Sequence, residues 1–486
     1  MADITLVNMN MLYIKYLDGR IHRQCHLPLG PLYLVSALRA AGVDVDFRDY
    51  QLLEAEELFE PDVLCDFLAD PAPVIGISCM ANLLPFVLYA LPAVRARYPH
   101  SKIVLGGVGP AAIEQHILER VGAADVISRG EGEINATRLV RALNEGSPLS
   151  EVPGIWFRSN GDIRRTEQIP RVQDLDALPR PSYEELDFKK YVGHNILGSR
   201  GCPYPCSFCS ITPIWGWKAF SRSNEDIIAE MQNMHHEHGV RQFLFQDEYF
   251  VSSPERMIDF SRRLKQAGLP VTYKAFARVD LVNQESMRAM ADSGCVEIRF
   301  GLESGSDRVL ERTRKGFDTR RAFEVVSLAN KIFRSVDAFY VWGFPFETSD
   351  DFNASLFQMI TLRGMGVRVL PSLLTYLPQT RIFEEIPDPG RLEFCHHLLP
   401  EYMISGIESR GTVRVKIDEK YAGLFDFVMS NRDIFPGFFH LDVESNIHPK
   451  LELLEEFEFY KPLDRDPESC GAHSPTDDEH GLTLNA

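Results

Sequence analysis

A second pair of closely spaced cysteines is missing from this chain, and that absence narrows its chemistry. Nine cysteines in 486 residues are too sparse for a disulfide framework, and no secretory signal opens the chain. A structural zinc site wants four protein ligands, usually as two CxxC-like pairs. Cys25, Cys65, Cys79, Cys295, Cys395 and Cys470 instead stand alone. No run approaches the ~18 consecutive apolar residues of a membrane-spanning helix, so no membrane span is expected and the chain reads as cytoplasmic. Basic charge is also in deficit: 51 Lys and Arg against 69 Asp and Glu leave a net charge of −18. That balance disfavours a phosphate-tracking surface, and hence nucleic acid, as the main partner. A hydrophobic fraction of 45% and a charged fraction of 25% describe an ordinary globular protein, and the length supports more than one domain.

What the chain does have is one dense cysteine string. Residues 202–209 read Cys-Pro-Tyr-Pro-Cys-Ser-Phe-Cys inside GSRGCPYPCSFCSI. Three thiolates from Cys202, Cys206 and Cys209 on so short a loop can ligate three irons of a 4Fe-4S cubane and leave the fourth without a protein ligand. An open iron is a reaction site. The string resembles the hallmark of the radical S-adenosylmethionine superfamily, CxxxCxxC with an aromatic residue before the last cysteine, here Phe208. The resemblance implies that the open iron chelates the amino and carboxylate groups of S-adenosylmethionine. An electron then cleaves the sulfonium to a 5′-deoxyadenosyl radical that abstracts hydrogen from unactivated carbon. An external one-electron reductant such as flavodoxin or ferredoxin is implied with it.

Residues 1–150 alternate apolar strand runs (ITLVNM, VDVDFRDY, VIGISCM, KIVLGGVG, ADVISRGEGE) with helical patterns. This predicts a Rossmann-like, doubly wound parallel sheet with helices on both faces, whose ligands bind beyond the carboxyl ends of the strands. The residues at those ends are small or polar: Asn8, Asn10, Ser78, Gly106, Gly107, Gly109, Gly130, Glu131 and Gly132. An ordinary domain with tight turns would carry such glycines too. In the context of the cysteine loop, the series LPLGPLYLVSALRAAG, GISCM, GGVGP and RGEGE resembles the cobalamin-binding domain that precedes one large class of radical S-adenosylmethionine enzymes. The resemblance implies that these nine residues bind cobalamin, with Gly106, Gly107 and Gly109 forming the turn that admits its nucleotide tail. The DxHxxG motif that supplies an axial histidine in classical cobalamin proteins is absent, which implies cobalamin without histidine ligation. His22 and His26 lie in a first loop, where a histidine is more often solvated or capping.

Residues 151–193 read as a hairpin around Asn160-Gly161 followed by a Pro-rich linker. Strand-helix alternation restarts over 194–377 and predicts a partial (βα)6 TIM-like barrel, with the cysteine loop after its first strand at the catalytic, carboxyl end. Gln246, Asp247 and Glu248 follow the second strand, Arg278 and Asp280 the third, and Glu303 and Ser304 the fourth. The family pattern implies that Phe208, Gln246, Asp247, Glu248, Arg278, Glu303 and Ser304 bind S-adenosylmethionine. Arg278 and Asp280 read equally well as an ion pair at the barrel mouth. Glu303 is favoured because a carboxylate accepts paired hydrogen bonds from a cis-diol. The fifth strand ends in GFPFET, resembling GxPGET of relatives except that Phe346 replaces a glycine. Trp215 and Trp217 could line a pocket or simply pack. His235, His236 and His238 complement a helix C-terminus.

Residues 378–466 predict a mostly helical cap that closes the barrel mouth, and 467–486 a disordered tail. The whole reads as an α/β protein in two layered units with a cap. The resemblance implies a cobalamin-dependent radical S-adenosylmethionine methyltransferase moving methyl from methylcobalamin to an unactivated carbon or phosphorus of a small-molecule substrate, such as a natural-product or cofactor intermediate. The alternatives are cyclisation, ring contraction or oxidation with the same cofactors, or a non-catalytic cobalamin sensor or scaffold. Substrate-side catalytic residues are not legible.

Overall fold

The computed structural model describes residues 2–10, 14–17, 20–23, 25–55, 57–184, 186–394 and 422–460, with the backbone alone over 14–17 and 20–23 and at 394. Residues 395–421 of the expected cap, the tail at 467–486, Cys395, Cys470 and the His22 side chain lie outside the described residues.

In chain order the strands of the front unit are β1 (Ile4–Met9), β2 (Ile14–Leu17), β3 (Arg20–Arg23), β4 (Val45–Asp49), β5 (Val74–Cys79), β6 (Lys102–Gly106), β7 (Val126–Ser128), β8 (Ile155–Ser159) and β9 (Asp162–Arg165). One sheet runs β4-β1-β5-β6-β7-β8-β9, parallel through β7 and antiparallel at β8 and β9, while β2 and β3 form a separate hairpin. Alternate residues of the parallel strands feed two cores, as a period of two requires. Ile4, Leu6, Val74 and Val104 pack with Val35, Leu38 and Leu139 on one face. Val7, Met9, Ile75, Ile77, Ile103 and Leu105 pack with Leu64, Phe86 and Leu91 on the other. The expected hairpin turns at Asn160 and Gly161, both at positive φ, but it extends the front sheet instead of standing between the units.

The second unit has β10 (Ser199–Arg200), β11 (Phe220–Ser221), β12 (Gln242–Phe245), β13 (Thr272–Ala277), β14 (Cys295–Glu303), β15 (Ser335–Trp342) and β16 (Arg368–Leu373). Strands β12 to β16 form a five-stranded all-parallel sheet in sequence order, with a helix between successive strands. The expected sixth strand, at the start, contributes only a bridge from Asn195 to Leu244. Two glycines explain why it leaves the sheet. A Cβ on Gly198 would come 2.5 Å from the Phe250 ring, and Gly201 sits at φ +89° with its missing Cβ 2.6 Å from the Lys218 carbonyl. Between them β10 pairs antiparallel with β11 and aims the chain at the cysteine loop.

The C-terminal segment ties the units together. Helix Ala422–Ser430 sets Phe427 against Tyr89 of helix Leu84–Arg97, with ring centroids 5.9 Å apart. Helix His448–Glu456 brings Lys450 Nζ to 2.7 Å from Glu347 Oε2. Beyond it, the Tyr460 hydroxyl accepts from Trp342 Nε1 at 2.9 Å and donates to the Pro371 carbonyl at 2.9 Å. The short strands β17 (Leu392–Phe394) and β18 (Phe439–Leu441) pair antiparallel, so the region is helical with a small ribbon.

Candidate active site at the junction of the two sheets

The cysteine loop is clamped by backbone on both sides. Ser207 N–H donates to the Thr313 carbonyl at 3.0 Å, and Ile382 N–H donates to the Ser207 carbonyl at 2.9 Å. Within the loop the Cys209 amide reaches the Cys206 carbonyl at 3.2 Å, and the Thr212 hydroxyl reaches the Tyr204 carbonyl at 3.0 Å. The three thiols are half-buried and near enough to feel one another's charge. Burial pushes the Cys209 thiol up to about 12 and raises Cys202 as well, so loading iron must release protons. Among the described residues no three His, Cys, Asp or Glu side chains gather tightly enough to hold a single metal ion. A lone zinc draws its sulfurs to about 2.3 Å from one point, whereas a cubane spreads them over three corners. Three free thiols carried on one clamped loop fit the three corners of a cluster that protein cysteines hold.

Around this loop stands a charged collar. Arg278 donates from Nε and Nη2 to the two oxygens of Asp280 at 2.9 and 3.0 Å, lies 3.5 Å over the Tyr204 ring and brings Nη1 to 3.9 Å from Cys206 Sγ. The expected ion pair with Asp280 is present, and it stands beside the cysteine loop. It also donates to the Lys315 carbonyl, and Lys315 Nζ in turn meets Glu303 Oε1 at 2.6 Å with both side chains buried. Glu303 sits at φ +67°, a left-handed conformation unusual for a glutamate. The register of β14 against β15 shifts at this point, between Gly301 and Glu303. A Cβ on Gly301 would lie 2.4 Å from Glu303 Oε1, so a side chain there would displace the carboxylate from its present position. Lys315, in a loop without recognisable pattern, had no signal in the sequence.

The other expected S-adenosylmethionine residues divide. Phe208 packs edge-on against Phe344 at 5.9 Å, and Gln246 stands half-buried beyond β12. Asp247 is buried, accepting from Gly198 N–H at 3.1 Å and from the Ser199 hydroxyl at 2.6 Å; burial raises its carboxyl to about 6. Glu248 opens to the mouth beside Cys202 and Cys209. Neighbouring chain and the Asp247 charge raise its carboxyl above the usual range, and its exposure to solvent keeps that rise small. Ser304 is fully buried, sharing its hydroxyl between Ser355 at 2.9 Å and the Ser306 amide at 3.1 Å. Phe346 keeps an ordinary backbone and stacks on Phe344 at 5.6 Å, so the change from the family's glycine is absorbed by aromatic packing. Trp215 lies under Arg171 at 5.0 Å, while Trp217 is 64% exposed. His235 contacts the Val240 carbonyl at 2.8 Å and His238 stacks on Phe188 at 4.1 Å, both structural contacts.

On the front sheet the candidate residues also separate. A Cβ on Gly106 would meet nothing within 4 Å, and half-buried Asn10 and Ser78 stand at the ends of β1 and β5 in the same sheet. Gly107 and Gly109 are closely packed. A Cβ on Gly107, at φ +81°, would lie 2.6 Å from the Cys79 carbonyl, and one on Gly109 would lie 2.9 Å from it. The turn itself requires glycine at both positions, packed against the Cys79 backbone. Asn8 is buried and donates to Asp49 Oδ1 at 2.8 Å. Gly130 abuts Ile169, Gly132 abuts Leu34, and the Glu131 carboxylate meets Arg200 Nη1 at 3.0 Å. His26 is half-buried beside Gly193 and Asn195, and its partial burial lowers it to about 4. An open glycine and polar residues at the ends of one sheet's strands fit a cobalamin edge.

The two carboxyl edges meet. Cys79, Leu83 and Leu84 at the end of β5 share one apolar cluster with Phe344, Leu374 and Tyr376 of the barrel mouth, and Phe208 packs against that cluster. Arg200, two residues before Cys202, binds Glu131 just beyond β7. This contact is a second feature that went unassigned, although GSRGC carries the arginine in plain view.

Residues 196–358 match the Radical SAM superfamily and residues 22–140 match the B12 binding domain. The chain is 30% identical over 337 residues to an uncharacterized methyltransferase of Pyrococcus horikoshii, covering 68% of this chain and 72% of that one. It is 28% identical to the anaerobic magnesium-protoporphyrin IX monomethyl ester cyclase of Synechocystis, covering 71% of this chain and 70% of that one. In fold it resembles the radical S-adenosylmethionine methyltransferase TsrM from Kitasatospora setae with cobalamin and [4Fe-4S] cluster bound, with a TM-score of 0.63 and 18% identity over 79% of this chain and 78% of that one.

Proposed function

Because the chain belongs to the radical S-adenosylmethionine enzymes that carry a cobalamin-binding domain ahead of the barrel, we propose that it methylates an unactivated carbon or phosphorus of a small molecule. What supports this reading is that the chain just before the cysteine loop is tied to the carboxyl end of the front sheet, Arg200 to Glu131 at 3.0 Å, and that Cys79 and Leu83 share one apolar cluster with Phe344 and Tyr376. When bound, the cluster with S-adenosylmethionine supplies a hydrogen-abstracting radical, and cobalamin supplies a transferable methyl group. Cys202, Cys206 and Cys209 hold the cluster, with Arg278 against Cys206. Lys315 fixes one oxygen of Glu303 and so orients this carboxylate for a ribose diol. Asp247 acts one step back, pinning Gly198 and Ser199 so that the loop enters at a set angle. The apolar cluster excludes water from a radical's path. Electrons come from a one-electron donor of the flavodoxin or ferredoxin kind.

The test is product analysis under anaerobic reduction. Methyl transfer yields S-adenosylhomocysteine and 5′-deoxyadenosine together, whereas 5′-deoxyadenosine alone would favour a cyclisation like that named for the Synechocystis relative. No cleavage of S-adenosylmethionine under any reductant would overturn the enzyme reading in favour of a cobalamin sensor or scaffold.

A further inference from the structure

We infer that Glu131 is a positioning residue: with Glu133 and Arg200 it forms a buried latch that fixes the cluster loop against the cobalamin edge. Glu131 stands at the N-terminal boundary of the helix Gly132–Glu145, shortly after β7, with its side chain free of the helix's own amides, and Glu133 lies in that helix's first turn. Arg200 bridges both, with Nη1 3.0 Å from Glu131 Oε1 and Nη2 2.6 Å from Glu133 Oε1. These three side chains are between 1% and 8% exposed. Arg171 doubles the tie. Its Nε lies 3.4 Å from Glu131 Oε2, and its Nη2 donates to the Arg200 carbonyl at 3.2 Å.

The chain between latch and cluster has no slack. Only Gly201 separates Arg200 from Cys202, and its left-handed conformation against the Lys218 carbonyl admits no side chain. Turning the cysteine loop relative to the front sheet would therefore strip a guanidinium of two carboxylates in a buried setting, which is strongly unfavourable. A planar fork on two carboxylates also fixes direction, as a lysine's point charge would not. The latch thus acts on the distance between the two reacting groups and touches neither.

This inference rests on the methyltransferase reading, and its test separates the two. Glu131→Gln and Arg200→Lys keep size and remove the charge pair or the fork; Asp125→Asn, which breaks the pair with Arg95 inside the front unit alone, is the control. In the ligand-free chain, hydrogen exchange over 128–133 and 196–201 should quicken about tenfold in both latch variants and stay unchanged in the control. In the loaded enzyme, 5′-deoxyadenosine formation without added substrate should stay within about twofold of wild type. Methyl transfer from S-adenosylmethionine to cobalt, followed by absorbance, should fall about a hundredfold, the loss that a misplacement near 1 Å brings. Unchanged exchange in both variants, or equal losses in both reactions, would overturn the latch. If Glu131→Gln does not fold, Arg200→Lys decides by the same measures. A wild-type enzyme that never methylates cobalt would instead sink the methyltransferase reading, and exchange alone would then judge the latch.

Discussion

Replacing Gly107 by alanine should loosen the front sheet, whereas replacing its neighbour Gly106 by leucine should leave the fold alone and weaken cobalamin binding. The two positions differ in what a Cβ would meet. At Gly107 it would stand 2.6 Å from the Cys79 carbonyl and 2.9 Å from the Cys79 nitrogen, both backbone atoms, at φ +81°. The left-handed conformation costs an ordinary residue about 1–2 kcal/mol. Forcing an extra carbon into a packed place costs about 1–3 kcal/mol more. A total near 2–5 kcal/mol lowers the unfolding midpoint of a domain this size by roughly 5–15 °C. At Gly106 nothing lies within 4 Å of the added carbon. Gly106→Leu should therefore melt within about 1 °C of wild type while binding cobalamin about tenfold more weakly, the factor that 1.4 kcal/mol brings. Thermal unfolding of the ligand-free chain and equilibrium titration with hydroxocobalamin measure both numbers. A Gly107→Ala protein as stable as wild type would refute the packing argument. A Gly106→Leu protein with full cobalamin affinity would move the ligand to another edge.

The three-cysteine loop should hold about four irons and four sulfides per chain after anaerobic reconstitution, and Cys206→Ala should lose both the cluster and S-adenosylmethionine cleavage by iron analysis and product assay. Electron paramagnetic resonance of the cob(II)alamin form should lack nitrogen splitting from an axial imidazole; its presence would contradict ligation without histidine. Lys315→Met should cost about 3 kcal/mol by leaving Glu303 charged and buried, and Lys315→Met with Glu303→Gln should recover part of that loss in denaturant titrations. Asp247 carries a carboxyl raised by burial from 3.8 to about 6, so the folded chain takes up that proton before the unfolded chain does. The stability it confers is complete below about 3.8 and lost as pH rises through about 6, and Asp247→Asn should flatten that slope in a pH series of melting temperatures.

Much of this protein follows from its sequence without a structure. Periodicity in ITLVNM, VIGISCM and KIVLG announces buried parallel strands because a strand covered on both faces must be apolar throughout. The cysteine loop declares its chemistry because three thiolates within eight residues need no distant partner to make a site. What depends on distant residues was not legible. The first barrel segment reads as a strand, yet two glycines pressed against Phe250 and Lys218 turn it out of the sheet. Gly107 packs against the Cys79 backbone, and Glu131 faces an arginine 69 positions away. Lys315 bears no motif and becomes the partner of Glu303 only when a bulge in β14 brings them to 2.6 Å. Local pattern determines which elements form and which atoms are reactive, because hydrogen bonding and periodic burial act over a few residues. Which glycine is open, which carboxylate is engaged and how the two edges meet are set by packing between segments far apart in the chain, and only the tertiary structure decides them.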